Sequence, residues 1–159
     1  MENDTRPQWI LDMQAPGTEP VSIIIDGQEY KYTIVDNQIE QNSMPYVVGF
    51  TADGFLMISQ KVPALEKTFI LSHEVREQKN FLNLPQEQRC LAALQQELKD
   101  FQNEFPSEYD NYLQKRYEFF NALASYYQNQ QRIGQVTPEF LKGIISSRDF
   151  LHAVSASRR

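Results

Sequence analysis

With 159 residues the chain is long enough to bury a core of its own, and 41% hydrophobic content with 10 Phe and 8 Tyr argues for a globular protein. A formal net charge of −6 repels phosphate, which excludes a nucleic-acid groove or an anionic membrane surface as the expected partner. The single cysteine, Cys90, excludes an internal disulfide framework, and no apolar run approaches the ~20 residues that cross a bilayer.

Residues 1–20 are rich in Pro, Gly and polar side chains and read as a flexible N-terminal arm, with Trp9, Ile10 and Leu11 available to dock it. The polar start Met1-Glu2-Asn3-Asp4-Thr5-Arg6-Pro7 lacks the apolar core of a signal peptide, so a cytoplasmic address is expected. Residues 21–159 then read as one domain. Val21-Ser22-Ile23-Ile24-Ile25 and Tyr30-Lys31-Tyr32-Thr33-Ile34-Val35 are β-branched and aromatic runs joined through Asp26-Gly27-Gln28-Glu29, a hairpin signal. A second pair, Tyr46 to Thr51 and Phe55 to Ser59, flanks Ala52-Asp53-Gly54, where glycine can take a positive φ.

After residue 60 the texture becomes helical. Pro63 suits a first helical position, and nothing interrupts the run to Lys79. A second helix starts near Pro85 with Leu91, Leu94, Leu98 and Phe101 at helical spacing. A third is announced by Ser107 with Asp110 three residues on, a capping-box pattern, and carries Tyr112, Leu113, Tyr117, Phe120, Leu123 and Ala124. A fourth begins at Thr137-Pro138 and carries Phe140, Leu141, Ile144 and Ile145. Strands first and helices afterwards predict an α+β fold: antiparallel hairpins followed by four helices.

The chemistry concentrates in His73-Glu74-Val75-Arg76-Glu77. Four positions apart on a helix, His73 and Glu77 project from one face about a turn from each other, so the pair can grip one metal ion. Glu74 lies about 100° further round, where it reaches a water molecule beside the ion. A carboxylate in place of a second imidazole weakens the Lewis acid and admits harder metals such as manganese. Zinc is the expected ion for an imidazole-containing set of this kind.

The stretch Gly49-Phe50-Thr51-Ala52-Asp53-Gly54-Phe55-Leu56-Met57-Ile58-Ser59, followed by Glu66-Lys67-Thr68-Phe69-Ile70-Leu71-Ser72-His73-Glu74, resembles the small zincin metallopeptidases that act with phage-type and stress-response repressors. In that family an edge strand precedes an HExxH helix by a similar interval. The resemblance covers about residues 46–100. It implies a zincin-like fold and zinc-dependent cleavage of a protein or peptide partner. His73 matches the first metal ligand and Glu74 the general base, while Glu77 stands where the family has its second histidine. The third ligand comes from the following helix. Glu97 is its best match, and Cys90, seven positions earlier on the same face, offers a thiolate that binds zinc strongly.

Each of these residues has a plainer reading. Cys90 beside Leu91 and Leu94 suits a small buried hydrophobe, Glu97 a solvated helix position, and His73 a hydrogen-bonded core histidine. Arg76 is placed to neutralise Glu77 or another carboxylate, so that an arginine network replaces the metal. His152 falls near the end of the last helix. The alternative function is therefore a non-catalytic interaction or regulatory module with a vestigial metallopeptidase site. A third reading is an unrelated α+β binding protein.

Overall fold

The computed structural model describes residues 20–35, 48–50, 54–129 and 136–158. Apart from Pro20, the expected arm with Trp9, Ile10 and Leu11 lies outside the described residues, as do Tyr46, Val47, Ala52 and Asp53. The architecture is α+β. By compactness the chain divides into two units, Met1–Leu71 and Ser72–Arg159.

The first unit carries four strands: β1 (Val21–Ile25), β2 (Gln28–Val35), β3 (Val48–Phe50) and β4 (Leu56–Ser59). β1 and β2 form the expected antiparallel hairpin. Its turn is the dipeptide Asp26-Gly27, with φ of 51° and 81°, because a two-residue hairpin turn needs positive φ at both positions and Asp-Gly tolerates it. β3 and β4 pair antiparallel as well. The sheet order is β1-β2-β4-β3, so β2 runs parallel to β4, with Tyr32 opposite Leu56 and Ile34 opposite Ile58. That central position explains β4. Leu56, Met57, Ile58 and Ser59 are all buried, as a strand covered on both faces requires.

Helix α1 (Ala64–Val75) follows one residue after Pro63. The expected helix to Lys79 does not stay α-helical. From Arg76 to Asn80 it loosens into a π-turn, closed by the Phe81 N–H donating to the Arg76 carbonyl at 2.8 Å. Such widened turns recur at functional sites.

The second unit is built from α2 (Gln86–Glu104), α3 (Tyr109–Gln128) and α4 (Pro138–Ser157), with α4 packed on both α2 and α3. The buried face of α2 is Cys90, Ala93, Leu94, Glu97, Leu98 and Phe101, so two polar positions share the stripe that leucines suggested. At the start of α3 the expected capping box is absent. Ser107 lies in a 3-10 turn, Pro106–Glu108, and Glu108 precedes the helix without a side-chain cap, because the short turn already satisfies the entry. α4 begins at Thr137-Pro138 as expected, with Thr137 capping it by accepting from the Phe140 N–H at 3.1 Å and Pro138 in the first helical turn. Gly143 lets α4 approach α2 closely. A Cβ there would stand 3.3 Å from the Glu87 carbonyl oxygen and 3.5 Å from Cys90 Cβ.

Candidate metal centre

α1 ends by delivering His73, and the π-turn that follows delivers Glu77; both are buried. Cys90, one turn into α2, completes a group of three. Among the described residues, His73, Glu77 and Cys90 each offer one ligand atom, and these atoms lie within 4.8 Å of one another. His73 Nε2 faces both partners, 3.6 Å from Glu77 Oε1 and 3.8 Å from Cys90 Sγ. In a tetrahedral zinc site with bonds of about 2.0–2.3 Å, those separations are about 3.3 Å and about 3.6 Å. Both separations from His73 are slightly longer than in a zinc ligand set, and the chemistry of the three donors fits the ion.

Glu97 occupies a different place from the one its spacing suggested. It sits on the opposite side of the imidazole, with Oε1 2.9 Å from His73 Nδ1. That contact is short but poorly aligned for a hydrogen bond, so it acts through charge. The rest of the carboxylate is occupied by α3. Arg116 grips it with Nη2 at 3.0 Å from Oε1 and Nε at 2.8 Å from Oε2, and the Tyr112 hydroxyl donates to Oε2 at 2.6 Å. Glu97 is 0% exposed and Arg116 4%. Arg116 also lies over the Phe119 and Phe120 rings, and Phe120 stands 6.0 Å from the His73 ring. Arg76, the arginine expected to act at the site, pairs with Asp100 at 3.1 Å.

The electrostatics follow from this arrangement. Burial alone would raise the Glu97 pKa, but Arg116, His73 and Tyr112 outweigh it and hold the carboxyl below its usual range. His73 is pulled down by burial, yet its contacts with Cys90, Glu77 and Glu97 outweigh this and raise it well above 6.5. Burial, helped by the charge of Glu77, pushes the Cys90 thiol up to about 11. A metal must therefore displace the Cys90 proton, and a proton on His73 Nε2 competes with it. Ser147 on α4 supports the sulfur: its Oγ lies 3.3 Å from Cys90 Sγ and 2.8 Å from the Gly143 carbonyl, with one proton to offer the two.

Glu74 is half-buried and directly follows His73 in the chain. The surrounding protein strips enough water from its carboxyl, with the Glu77 charge adding to the effect, to push the pKa to about 8. His152 is exposed, 5.7 Å from the Tyr117 ring, and takes no part.

Sequence reasoning missed Arg116, Tyr112 and Ser147. Tyr112 and Arg116 stand four apart on α3, a spacing that marks a shared face but gives no sign that the face meets a buried carboxylate. No helix among the described residues is long and apolar enough to cross a membrane. No protein-family model matches the chain, and no curated protein and no solved structure shows significant similarity to it.

Proposed function

We propose that the protein is a metal-dependent hydrolase of the peptidase-like, zincin-like kind, acting on a protein or peptide, with His73, Glu77 and Cys90 holding a zinc ion. The observation that carries this reading is the convergence of three donors of different chemistry on one point. Three protein ligands are the complement of a catalytic zinc, which keeps its fourth position for water or substrate. The ion supplies a Lewis acid that acidifies water at neutral pH. Glu74, the half-buried neighbour, would be the group to accept a proton in such chemistry. With its pKa near 8 the carboxyl is mostly protonated at neutral pH in the metal-free chain and unfit as a base. A divalent cation beside it lowers the pKa and makes it competent, so base and ion are required together. A reducing compartment such as the cytoplasm suits a centre that depends on the Cys90 thiol.

The non-catalytic reading rests on burial. His73, Glu77 and Cys90 are 4%, 8% and 4% exposed, a degree of closure typical of structural metal sites, and a regulatory module needs no more. Metal content after purification without added metal tests the centre itself. Stoichiometric zinc that is lost in His73→Ala and Glu77→Ala is expected; its absence from the wild type removes both readings. Peptide hydrolysis by the wild type, abolished in Glu74→Gln with zinc retained, is the result expected of a peptidase. Zinc with no hydrolysis assigns the regulatory role.

A further inference from the structure

We infer that Glu97 is the positioning residue of the centre: clamped by Arg116 and Tyr112, it favours through its charge a proton on His73 Nδ1 and so leaves the Nε2 lone pair for the ion shared with Glu77 and Cys90. The inference rests on the metal reading proposed for those three residues.

An ionised carboxylate has about four acceptor sites. Glu97 Oε1 meets Arg116 Nη2 and His73 Nδ1, while Oε2 meets Tyr112 OH and Arg116 Nε. Donors thus surround both oxygens of Glu97, with hydrogen bonds from Arg116 Nη2 and the Tyr112 hydroxyl and close charge contacts from His73 Nδ1 and Arg116 Nε. Arg116, charged at any ordinary pH, donates one N–H to Oε1 and keeps Nε 2.8 Å from Oε2, which restrains the carboxylate.

The imidazole supplies the second half. A neutral ring carries its proton on either nitrogen, and only the tautomer protonated at Nδ1 has a lone pair at Nε2. Nε2 is the atom that faces Glu77 and Cys90. A carboxylate 2.9 Å from Nδ1 selects that tautomer and restrains rotation of the ring. Four elements meet around one imidazole: His73 from α1, Glu77 from the π-turn, Glu97 and Cys90 from α2, and Arg116 and Tyr112 from α3. Glu97 is thus the link by which α3, which offers no ligand, sets the direction of one.

Titration of the metal-stripped full chain with Co(II) alone tests this. The wild type is expected to bind one ion and develop a thiolate-to-cobalt charge-transfer band from Cys90. Failure of the wild type to bind overturns the metal reading and the inference with it. Glu97→Gln is expected to keep the band, because the ligands are unchanged, and to bind about 10–100-fold more weakly. Unchanged affinity in that variant overturns the positioning role and leaves the metal reading standing. A changed cobalt d–d envelope at saturation in a folded variant that keeps the thiolate band makes Glu97 a ligand and also overturns it. A measurement that needs no variant is the 15N spectrum of the Zn(II)-loaded wild type, readable because the chain has 2 histidines. A directly bonded proton on His73 Nδ1 with zinc on Nε2 is expected, and the reverse tautomer overturns the proposal.

Discussion

Two of the arginine–carboxylate pairs in the helical unit have similar chemistry and opposite settings. Arg116 and Glu97 meet in its interior, linking α3 to α2, whereas Arg158 and Asp110 meet at the surface, where Arg158 also covers the Tyr109 ring. Water screens the outer pair and replaces either partner when the other is removed. The inner pair has no such substitute. Its carboxylate is 0% exposed and supports a guanidinium, a phenol and an imidazole at once, so each member is needed to justify the burial of the others. A buried ionic cluster adds little net stability over an apolar core, but it fixes the direction in which each polar group points, which is what a binding site uses.

Removing one side of the inner pair should break that contrast most sharply. Glu97→Ala strands Arg116 in the core and is expected to cost about 3–5 kcal/mol in urea unfolding, with most of it regained when Arg116 is also replaced by Met. A loss as small as that of a surface mutation would show that water reaches Arg116. Tyr112→Phe is gentler. It deletes the hydroxyl on Glu97 Oε2 while keeping the ring stacked 3.9 Å from Phe101, and about 1.5–3 kcal/mol should be lost.

Acidity separates the members of the cluster by sign. Glu74 in the folded, metal-free chain keeps a proton that the unfolded chain releases between pH 4.5 and about 8. Its contribution to stability is full below 4.5, declines as pH rises, and is gone above about 8. His73 acts in the same sense, losing its contribution as pH climbs from 6.5 through its raised folded pKa. Glu97 acts in the opposite sense, its contribution present above 4.5 and lost as pH falls through its lowered value. Denaturant midpoints of Glu74→Gln should therefore decline less with pH over the 4.5–8 interval than those of the wild type. Parallel profiles for the two proteins would count against a raised Glu74 pKa. The smallest effect belongs to the outer pair: Arg158→Ala should leave the unfolding midpoint unchanged, and a measurable loss would mean that the cation over Tyr109 contributes more than its exposure suggests.

The site was partly legible beforehand. Four-residue spacing on a helix is enough to place His73 and Glu77 on one face, and Cys90 stood out as the soft donor on the next helix. The role of Glu97 was not legible. Spacing puts it on the same face as Cys90, but a seven-residue interval carries it about two turns along α2, where it meets the other edge of the imidazole and the guanidinium of Arg116. A buried arginine carries no periodic signature, because its burial depends on a carboxylate 19 residues away.

Local chemistry in the chain determined the Asp26-Gly27 hairpin, the Thr137-Pro138 start of α4, the order of strands before helices, and the His73-Glu77 pair. Those features depend on neighbours within a few residues, whose sterics and hydrogen bonds act before any tertiary contact forms. Tertiary structure decided the parallel pairing of β2 with β4, the π-turn at Arg76–Asn80, and which nitrogen of His73 faces which acid. Each of those was set by partners distant in sequence, since a strand's neighbour and a buried charge's counterion are chosen by packing in three dimensions.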